Sequence, residues 1–410
     1  MKKIFHFALY DFANSAFTTI IITFIFATYF AKQIAPNPIL GQSYWGWTIG
    51  ITGFLVAIIG PIIGSFADKK NKIVFFIRLF SLLCILFTSL LWFSKPSQSF
   101  LLYTLVIVGT ANLFYELSLI FYNSLLKDIS TEKNLGKSSG FGFALGYVGG
   151  IVILLISIKL FIDTNNLPFG LVKEDSQNIR AIAILVSIWF LLFSIPFLFF
   201  VIKNNKEKIK KNIPTNLVDL KKLLWEKKIT VLGKFLIARM LYADGLNAII
   251  VMGGIFAVGV FNLEIKDLLK LSILMNISAF IGSFFGGIVN DRYGSKIVII
   301  FSLIGLILSS TAILFTFSVT MFFVLAAING LFIGPIQSAS RVVITSMLNK
   351  KNQGKGFGLF ATSGKLTSFV GPFLVSTVTF LSESQRIGFS AAIILLLAGL
   401  IILFKIKKIN

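Results

Sequence analysis

Cysteine and histidine are almost missing from this sequence: Cys84 and His6 are the only residues of their kinds among 410. One cysteine leaves no disulfide framework and no cysteine metal site, and one histidine removes most zinc and haem arrangements. The histidine–glutamate zinc motif, the glycine–lysine phosphate loop and a nucleotide-binding domain are also missing from the sequence. We therefore expect no enzymatic activity, no metal ion, no cofactor and no direct use of ATP.

Charged residues are scarce as well. They make up 13% of the chain, whereas a soluble domain carries about 25%. Hydrophobic residues reach 56% and form long blocks: residues 73–93 include one charge, Arg78, and residues 181–202 include none. About 20 apolar residues cross the hydrocarbon core of a bilayer as one helix. The chain is therefore predicted to be an all-α, multi-pass membrane protein.

Apolar blocks separated by polar breaks predict twelve transmembrane helices. They cover residues 5–32, 44–67, 72–94, 99–126, 138–162, 180–203, 230–261, 267–290, 295–316, 319–347, 355–381 and 385–404. The first block follows two lysines, as in a secretory signal, but it is too long for one and contains Asp11 and Asn14. We expect it to remain in the protein as helix 1.

Basic residues concentrate in alternate connections between these helices. The formal net charge is +22, and clusters such as Lys69-Lys70 and Lys350-Lys351 fall on one side of the predicted bundle. We call the side with the 2–3, 4–5, 8–9 and 10–11 connections the basic face. By the positive-inside bias, this face and both termini are predicted to be cytoplasmic. Because the positive-inside bias of membrane proteins accounts for the excess of basic residues, no nucleic-acid partner is expected.

The two halves of the chain repeat each other. The polar stretch from Lys203 to Lys228 separates a predicted N-terminal six-helix bundle (1–203) and cytoplasmic linker (204–229) from a C-terminal six-helix bundle (230–410). Leu9-Tyr10-Asp11 with Asn14 is repeated as Leu241-Tyr242 with Asp244 and Asn247. Residues 64–69 resemble residues 287–292, and Gly136-Lys137 is repeated as Gly354-Lys355. Two pseudo-symmetric bundles are typical of transporters that rock about a central site.

Two segments on the basic face resemble the cytoplasmic signature of the major facilitator superfamily, glycine-x-x-x-aspartate-arginine-x-glycine-x-arginine/lysine. The second copy has Gly287, Asp291, Arg292 and Gly294, whereas the first has Asp68 and Lys69 but Asn71 in place of the usual glycine. The resemblance implies the major facilitator fold and a gating role for Asp68, Lys69, Gly287, Asp291, Arg292 and Gly294. The alternative is that a charged turn simply ends each helix.

A finer resemblance starts in helix 1, where residues 10–17 read Tyr-Asp-Phe-Ala-Asn-Ser-Ala-Phe. This block resembles the opening of the unknown major facilitator (UMF) family, which is related to autophagy-linked vacuolar effluxers. Further blocks similar to this family lie at 121–126, 144–150, 238–245, 334–341 and 363–368. For the vacuolar relatives the resemblance implies amino-acid efflux, whereas bacterial members have no single agreed substrate class.

Charged side chains at membrane depth cost a few kcal/mol, so each is a functional candidate. With neighbouring polar residues they give a predicted set for substrate binding or proton coupling: Asp11, Asn14, Asn112, Glu116, Arg239, Tyr242, Asp244, Asn247, Gln337, Arg341 and Lys365. A carboxylate could load and release a proton, and an arginine or lysine could hold an anionic group. Alternatively, these charges pair and lock the bundle. Tyrosines such as Tyr122 could line a pocket, although core or interface positions are commoner.

The favoured function is secondary active transport of a small polar or zwitterionic solute, in the first instance an amino acid, by proton-coupled alternating access. A lipid or amphiphile transporter of the same fold and a non-transporting membrane receptor or scaffold are the alternatives. The expected partners are a small-molecule substrate and the lipid bilayer, and the expected state is a monomer. Frequent Lys, Ile and Asn suggest an A/T-rich bacterial genome, and hence a cytoplasmic (inner) membrane.

Overall fold

The computed structural model describes residues 2–164, 166–201, 223–226, 228–263 and 265–407. Within them, twelve helices are long and apolar enough to cross a membrane, which confirms the predicted number. We number them α1 Lys2–Ile34, α2 Leu40–Lys70, α3 Ile73–Phe93, α4 Gln98–Ile129, α5 Glu132–Ile162, α6 Glu174–Phe200, α7 Val231–Phe261, α8 Lys270–Tyr293, α9 Ser295–Phe315, α10 Val319–Met347, α11 Lys350–Ser382 and α12 Gln385–Phe404.

Local signals fix where several helices begin. The side chain of Thr230 accepts a hydrogen bond from the Gly233 amide at the start of α7. Ser318 and Ser384 do the same one residue before α10 and α12. Serine and threonine are favoured at this position because the first amides of a helix have no partner within it.

The surface of α9 illustrates why these helices suit a membrane. Leu303 and Leu306 are fully buried against the rest of the protein, whereas Phe301 and Leu308 are about two-thirds exposed. Large apolar side chains in this number are not stable against water, but they are stable against lipid. Both faces of the helix can therefore be apolar, which explains the unbroken apolar runs in the sequence.

Some helices depart from regular α-helix. Residues Phe17–Phe24 of α1 form a π-helical stretch, a feature that is frequent at functional sites. α11 is interrupted: its first part is Gln353–Lys365, residues 366–369 form turns, and its second part is Val370–Ser382. The sequence analysis predicted one continuous helix here.

Packing divides the chain into two compact units. Among the described residues, the first unit contains 2–56, 71–122 and 145–201, and the second contains 57–70, 123–144 and those from 223 onward. The second unit thus joins the end of α2, the end of α4 and the start of α5 to the C-terminal helices. The domain boundaries at 203 and 230 stay a prediction, because most of the linker 204–229 lies outside the described residues.

The repeat seen in the sequence has a counterpart inside each unit. In the first, the Tyr10 hydroxyl on α1 donates to Ser118 Oγ on α4 at 3.2 Å. In the second, the Tyr242 hydroxyl on α7 is hydrogen-bonded to Ser340 Oγ on α10 at 2.7 Å. A tyrosine on the first helix of each half therefore bonds to a serine on the fourth helix of the same half.

Candidate functional site

The first polar cluster lies on the buried side of α1. The Tyr122 hydroxyl of α4 donates to Asp11 Oδ2 at 2.7 Å, and the Tyr115 hydroxyl donates to Asn14 Oδ1 at 3.4 Å. Asn14 is 4% exposed, and its Nδ2 atom has no hydrogen-bond acceptor. A buried N–H without an acceptor is costly and uncommon in folded proteins.

Two further candidates lie on α4. Asn112 is buried and donates from Nδ2 to Thr52 Oγ1 of α2 at 2.7 Å. This bond holds two helices of the first unit together. Glu116, one turn further along, is only partly buried.

The guanidinium of Arg239 on α7 is bound to the first part of α11. Its Nη1 atom donates to the Phe360 carbonyl and to Ser363 Oγ, both at 2.6 Å. The Phe360 ring lies against the same group, 3.4 Å from ring centroid to Cζ. Arg239 therefore joins α7 to the first part of α11.

Asp244 and Asn247 lie opposite the interruption of α11. Asn247 Nδ2 donates to the Ser368 carbonyl at 2.7 Å. Asp244 is 2% exposed, and its Oδ1 atom accepts no hydrogen bond. The Thr367 hydroxyl faces this carboxylate and has no other hydrogen-bond partner. The structure thus brings the interruption of α11 to the acidic residue of α7.

Arg341 of α10 is 1% exposed and binds residues of α4 and α5 that belong to the same unit. Its guanidinium donates to Ser139 Oγ at 2.8 Å, to the Ser139 carbonyl at 2.7 Å and to Asn123 Oδ1 at 3.1 Å. It also lies over the Phe143 ring, 4.4 Å from the centroid. The planar, five-donor guanidinium suits such a set of acceptors.

The remaining members of the predicted set are less enclosed. Gln337 lies on α10 one turn before Arg341 and is partly exposed. Lys365 is the last residue of the first part of α11 and is also partly exposed.

The two signature aspartates cap two helices. Asp68, near the end of α2, accepts from the amides of Gly354 and Lys355 at 2.9 and 2.7 Å, where the regular part of α11 begins. Asp291, near the end of α8, accepts from the amides of Gly136 and Lys137 at 2.5 and 2.9 Å, near the start of α5. A carboxylate at a helix N-terminus satisfies unpaired amides and is favoured by the helix dipole. We call these contacts the Asp68 cap and the Asp291 cap.

The turn after each cap explains why the first signature tolerates asparagine. Gly294 follows Asp291 by three residues and has φ +87°, and Asn71 follows Asp68 by three residues and has φ +52°. Glycine adopts positive φ without strain, and asparagine is among the few other residues that do so readily. Lys69 is partly exposed and Arg292 exposed at these turns, where they supply positive charge beside the caps.

Gly287 allows α8 to approach α5 closely. A Cβ atom at Gly287 would lie 2.6 Å from the Gly136 carbonyl oxygen and 3.1 Å from Gly140 Cα. We expect Gly287→Val to push the two helices apart, at a cost of roughly 1–3 kcal/mol for overpacking. The expected result is a lower melting temperature and faster amide exchange at residues 132–138.

Gly253→Val on α7 is the matched control for that change, because nothing lies within 4 Å of a Cβ atom at Gly253. Equal melting temperatures for the two variants would show that the α5–α8 approach does not require Gly287.

Other basic side chains cap helix C-termini. Lys127 Nζ donates to the Leu348 carbonyl after α10 at 2.9 Å. Arg386 Nη1 donates to the Leu314 carbonyl at the end of α9 at 2.6 Å. Cations at helix C-termini are favoured by the dipole, so part of the large basic charge stabilises helix ends.

Three residues beside the predicted ones were not in the predicted set. Tyr115 and Tyr122 are seven residues apart on α4, so they share a face, and this spacing could have revealed them. Thr367 gave no such signal, because its position opposite Asp244 depends on the interruption of α11.

The fold corresponds to that of a solved transporter along nearly its whole length. The major facilitator superfamily proton:xylose symporter XylE, solved with 6-bromo-6-deoxy-D-glucose, superposes with a TM-score of 0.76 at 12% identity, over 98% of this chain and 94% of that chain. Together with the helix count, this superposition shows that the chain has the major facilitator fold.

Residues 31–408 match the family described as Vacuole effluxer Atg22 like, and the chain belongs to this family. The uncharacterized MFS-type transporter YxiO of Bacillus subtilis (strain 168) is 26% identical over 409 residues, which cover 96% of this chain and 92% of the relative. Autophagy-related protein 22 of Yarrowia lipolytica is 24% identical over 307 residues, 66% of this chain and 50% of that protein. The family resemblance found in the motifs is confirmed.

Proposed function

We propose that this transporter moves a small polar or zwitterionic solute, in the first instance an amino acid, by alternating access coupled to protons. The observation that carries the proposal is that the first helix of each half holds a buried polar atom without a partner. These atoms are Asn14 Nδ2, a donor, and Asp244 Oδ1, an acceptor. Buried polar atoms are normally paired, so both are candidates to bind a ligand.

The charged candidates take different roles in this proposal. Asp11 and Asp244 take up the proton or bind an amine, because only a carboxylate can do both at membrane depth. Arg239 or Lys365 holds a solute carboxylate. For Arg239 this requires exchange of its bonds to Phe360 and Ser363, which would couple solute binding to α11.

The other predicted residues support these groups. Asn112, through its bond to Thr52, positions α4, and Tyr242, through its bond to Ser340, positions α10. Asn247 holds the interruption of α11. Glu116, Gln337 and Arg341 complete the proposed set.

The two caps support alternating access. Both connect helix ends on the basic face, and both consist of a carboxylate on two backbone amides, which can separate and re-form as units. Opening of the basic face for solute passage would release them. Asp68, Lys69, Gly287, Asp291, Arg292 and Gly294 therefore form the proposed gate.

The membrane location follows from charge and family. The basic connections favour a cytoplasmic position for the basic face and for both termini. Frequent Lys, Ile and Asn favour a bacterial source, so the proposed location is a bacterial cytoplasmic (inner) membrane, and the matched family is named for a membrane transport protein. The protein is proposed to work as a monomer.

A ligand screen followed by flux measurements tests the proposal. The purified protein would be melted with amino acids, organic anions, amines and lysolipids at two pH values, since a ligand at a hundred times its Kd stabilises by about 2.7 kcal/mol. Hits would then be measured as flux in proteoliposomes with and without a pH gradient. We expect gradient-dependent amino-acid flux that is abolished in Asp11→Asn and Asp244→Asn.

Asp163→Asn is the control, because Asp163 is exposed in the connection after α5 and the substitution removes the same charge. Unchanged flux in both Asp11→Asn and Asp244→Asn would contradict the proposed roles. If only lysolipids stabilise the protein, the proposed transported solute would be an amphiphile and not an amino acid. Binding without flux of any compound would favour a receptor.

A further inference from the structure

The interruption of α11 is held by charges on α7. The first part of α11 ends at Lys365, and its last turn lies against Arg239, which donates to Phe360 and Ser363. The second part begins at Val370, beside Asp244. The C-terminal end of a helix favours a cation and the N-terminal end favours an anion. The two charges of α7 therefore match the two ends created by the interruption.

The backbones of α7 and α11 touch at this point. A Cβ atom at Gly371 would collide with the Asp244 carbonyl oxygen and would lie 3.0 Å from its carbonyl carbon. The Asn247 amide, one turn further along α7, donates to the Ser368 carbonyl. Movement at the interruption must therefore be transmitted to α7.

The Asp244 carboxylate forms no ion pair with the described basic residues around it. Its Oδ1 atom and the Thr367 Oγ1 atom are both closed to water, and neither has a hydrogen-bond partner beyond the contact of the Thr367 hydroxyl with the Asp244 carboxylate. The amide of Asn247 and the guanidinium of Arg239, which could have served as donors, are bonded to α11. A buried carboxylate without an ion-pair partner is strongly unfavourable as an anion, so either a proton or a bound cation must neutralise it.

The size and chemistry of this position limit which cations could bind there. Because Oδ1 is closed to water, a small ligand suits this position better than an organic ammonium group does. A bare alkali cation is smaller, and the two facing atoms are carboxylate and hydroxyl oxygens, which suit a hard cation. Interrupted membrane helices supply such oxygens for sodium in other transporter folds.

We propose that Asp244 Oδ1 and Thr367 Oγ1 bind a sodium ion at the interruption of α11. The inference rests on the proposed transport function and changes one role in it: Asp244 binds the sodium ion in place of a proton or an amine, and Asp11, which accepts a hydrogen bond from Tyr122, keeps the proton. Because the ion lies between α7 and α11, its binding would fix the interruption in one geometry. Solute binding could then depend on sodium without direct contact between the two ligands.

The test is a melting experiment on the purified, solute-free protein in sodium, potassium or choline chloride at equal ionic strength. We expect a saturable rise in melting temperature with sodium alone. Asp244→Asn should abolish this rise. Thr367→Val, which removes one oxygen ligand at constant shape, should raise the sodium concentration for half-maximal effect about tenfold, the equivalent of 1.4 kcal/mol.

Thr379→Val is the matched control, because the Thr379 hydroxyl donates to the Val375 carbonyl of its own helix. It should keep the full sodium response. If Asp244→Asn does not fold, Thr367→Val and binding of radioactive sodium to the unaltered protein decide the matter.

Equal melting in the three salts, or a sodium response that Thr367→Val leaves unchanged, would overturn the inference. A response to acid alone that is lost in Asp244→Asn would assign a proton to this position and would also overturn it. No solute is present, so a failed solute screen leaves this result unaffected, and a missing sodium response leaves the proposed solute unaffected.

Discussion

Asp68→Asn is expected to release the start of α11 from α2, and Asp291→Asn to release the start of α5 from α8. Each aspartate accepts from two backbone amides, whereas the single oxygen of asparagine can serve one of them. A hydrogen bond to a charged group contributes about 1.5–3 kcal/mol. If a cap loses about 2 kcal/mol of stabilisation, the fraction of molecules in which the capped helix start is released rises roughly thirtyfold. Amide exchange followed by mass spectrometry measures this rise directly.

The two caps provide reciprocal controls. Asp68→Asn should accelerate exchange in residues 350–356 and leave 132–138 protected, and Asp291→Asn should do the reverse. Asp128→Asn serves as a surface control, because Asp128 forms a largely exposed ion pair with Lys350 at 3.0 Å. Such pairs contribute about 1 kcal/mol or less, so exchange should change by less than about fivefold. Unchanged exchange in both cap variants would show that the carboxylates do not hold these helices.

Arg341→Lys is expected to be the most damaging conservative substitution on α10. Lysine keeps the charge, but its ammonium group cannot donate to Ser139 Oγ, the Ser139 carbonyl and Asn123 Oδ1 with the geometry of a guanidinium. Loss of two charge-assisted bonds costs roughly 3 kcal/mol. The ratio of molecules in which α5 is bound to α10 to molecules in which it is released should fall more than about a hundredfold. Melting temperature and amide exchange in residues 136–144 measure the effect.

Arg386→Lys is the matched control for this substitution. Arg386 caps the last carbonyls of α9 from a partly exposed position, and a lysine can also cap helix carbonyls. We expect a change of less than about 1 kcal/mol. Similar protection of residues 136–144 in Arg341→Lys and in the unaltered protein would exclude the proposed structural role of Arg341.

The sequence predicted the fold because a membrane helix satisfies its own backbone groups. Each apolar block needs no distant partner for its hydrogen bonds, so length and hydropathy alone identify twelve crossings. The paired motifs were also visible, since Asp68 and Asp291 occur in equivalent local contexts. Even the deviation at Asn71 has a local explanation in its positive φ.

The destination of each buried charge could not be predicted in the same way. The cap between Asp291 and Gly136 joins positions 155 residues apart, and no local pattern specifies that distance. Composition also cannot show that Arg239 binds carbonyl and hydroxyl groups of α11, or that Arg341 binds Ser139. Charge and hydropathy thus determined which helices cross the membrane and which residues are costly there. Only the tertiary structure decided which of those residues are satisfied and which, like Asp244, still lack a partner, because that depends on atoms brought together from distant helices.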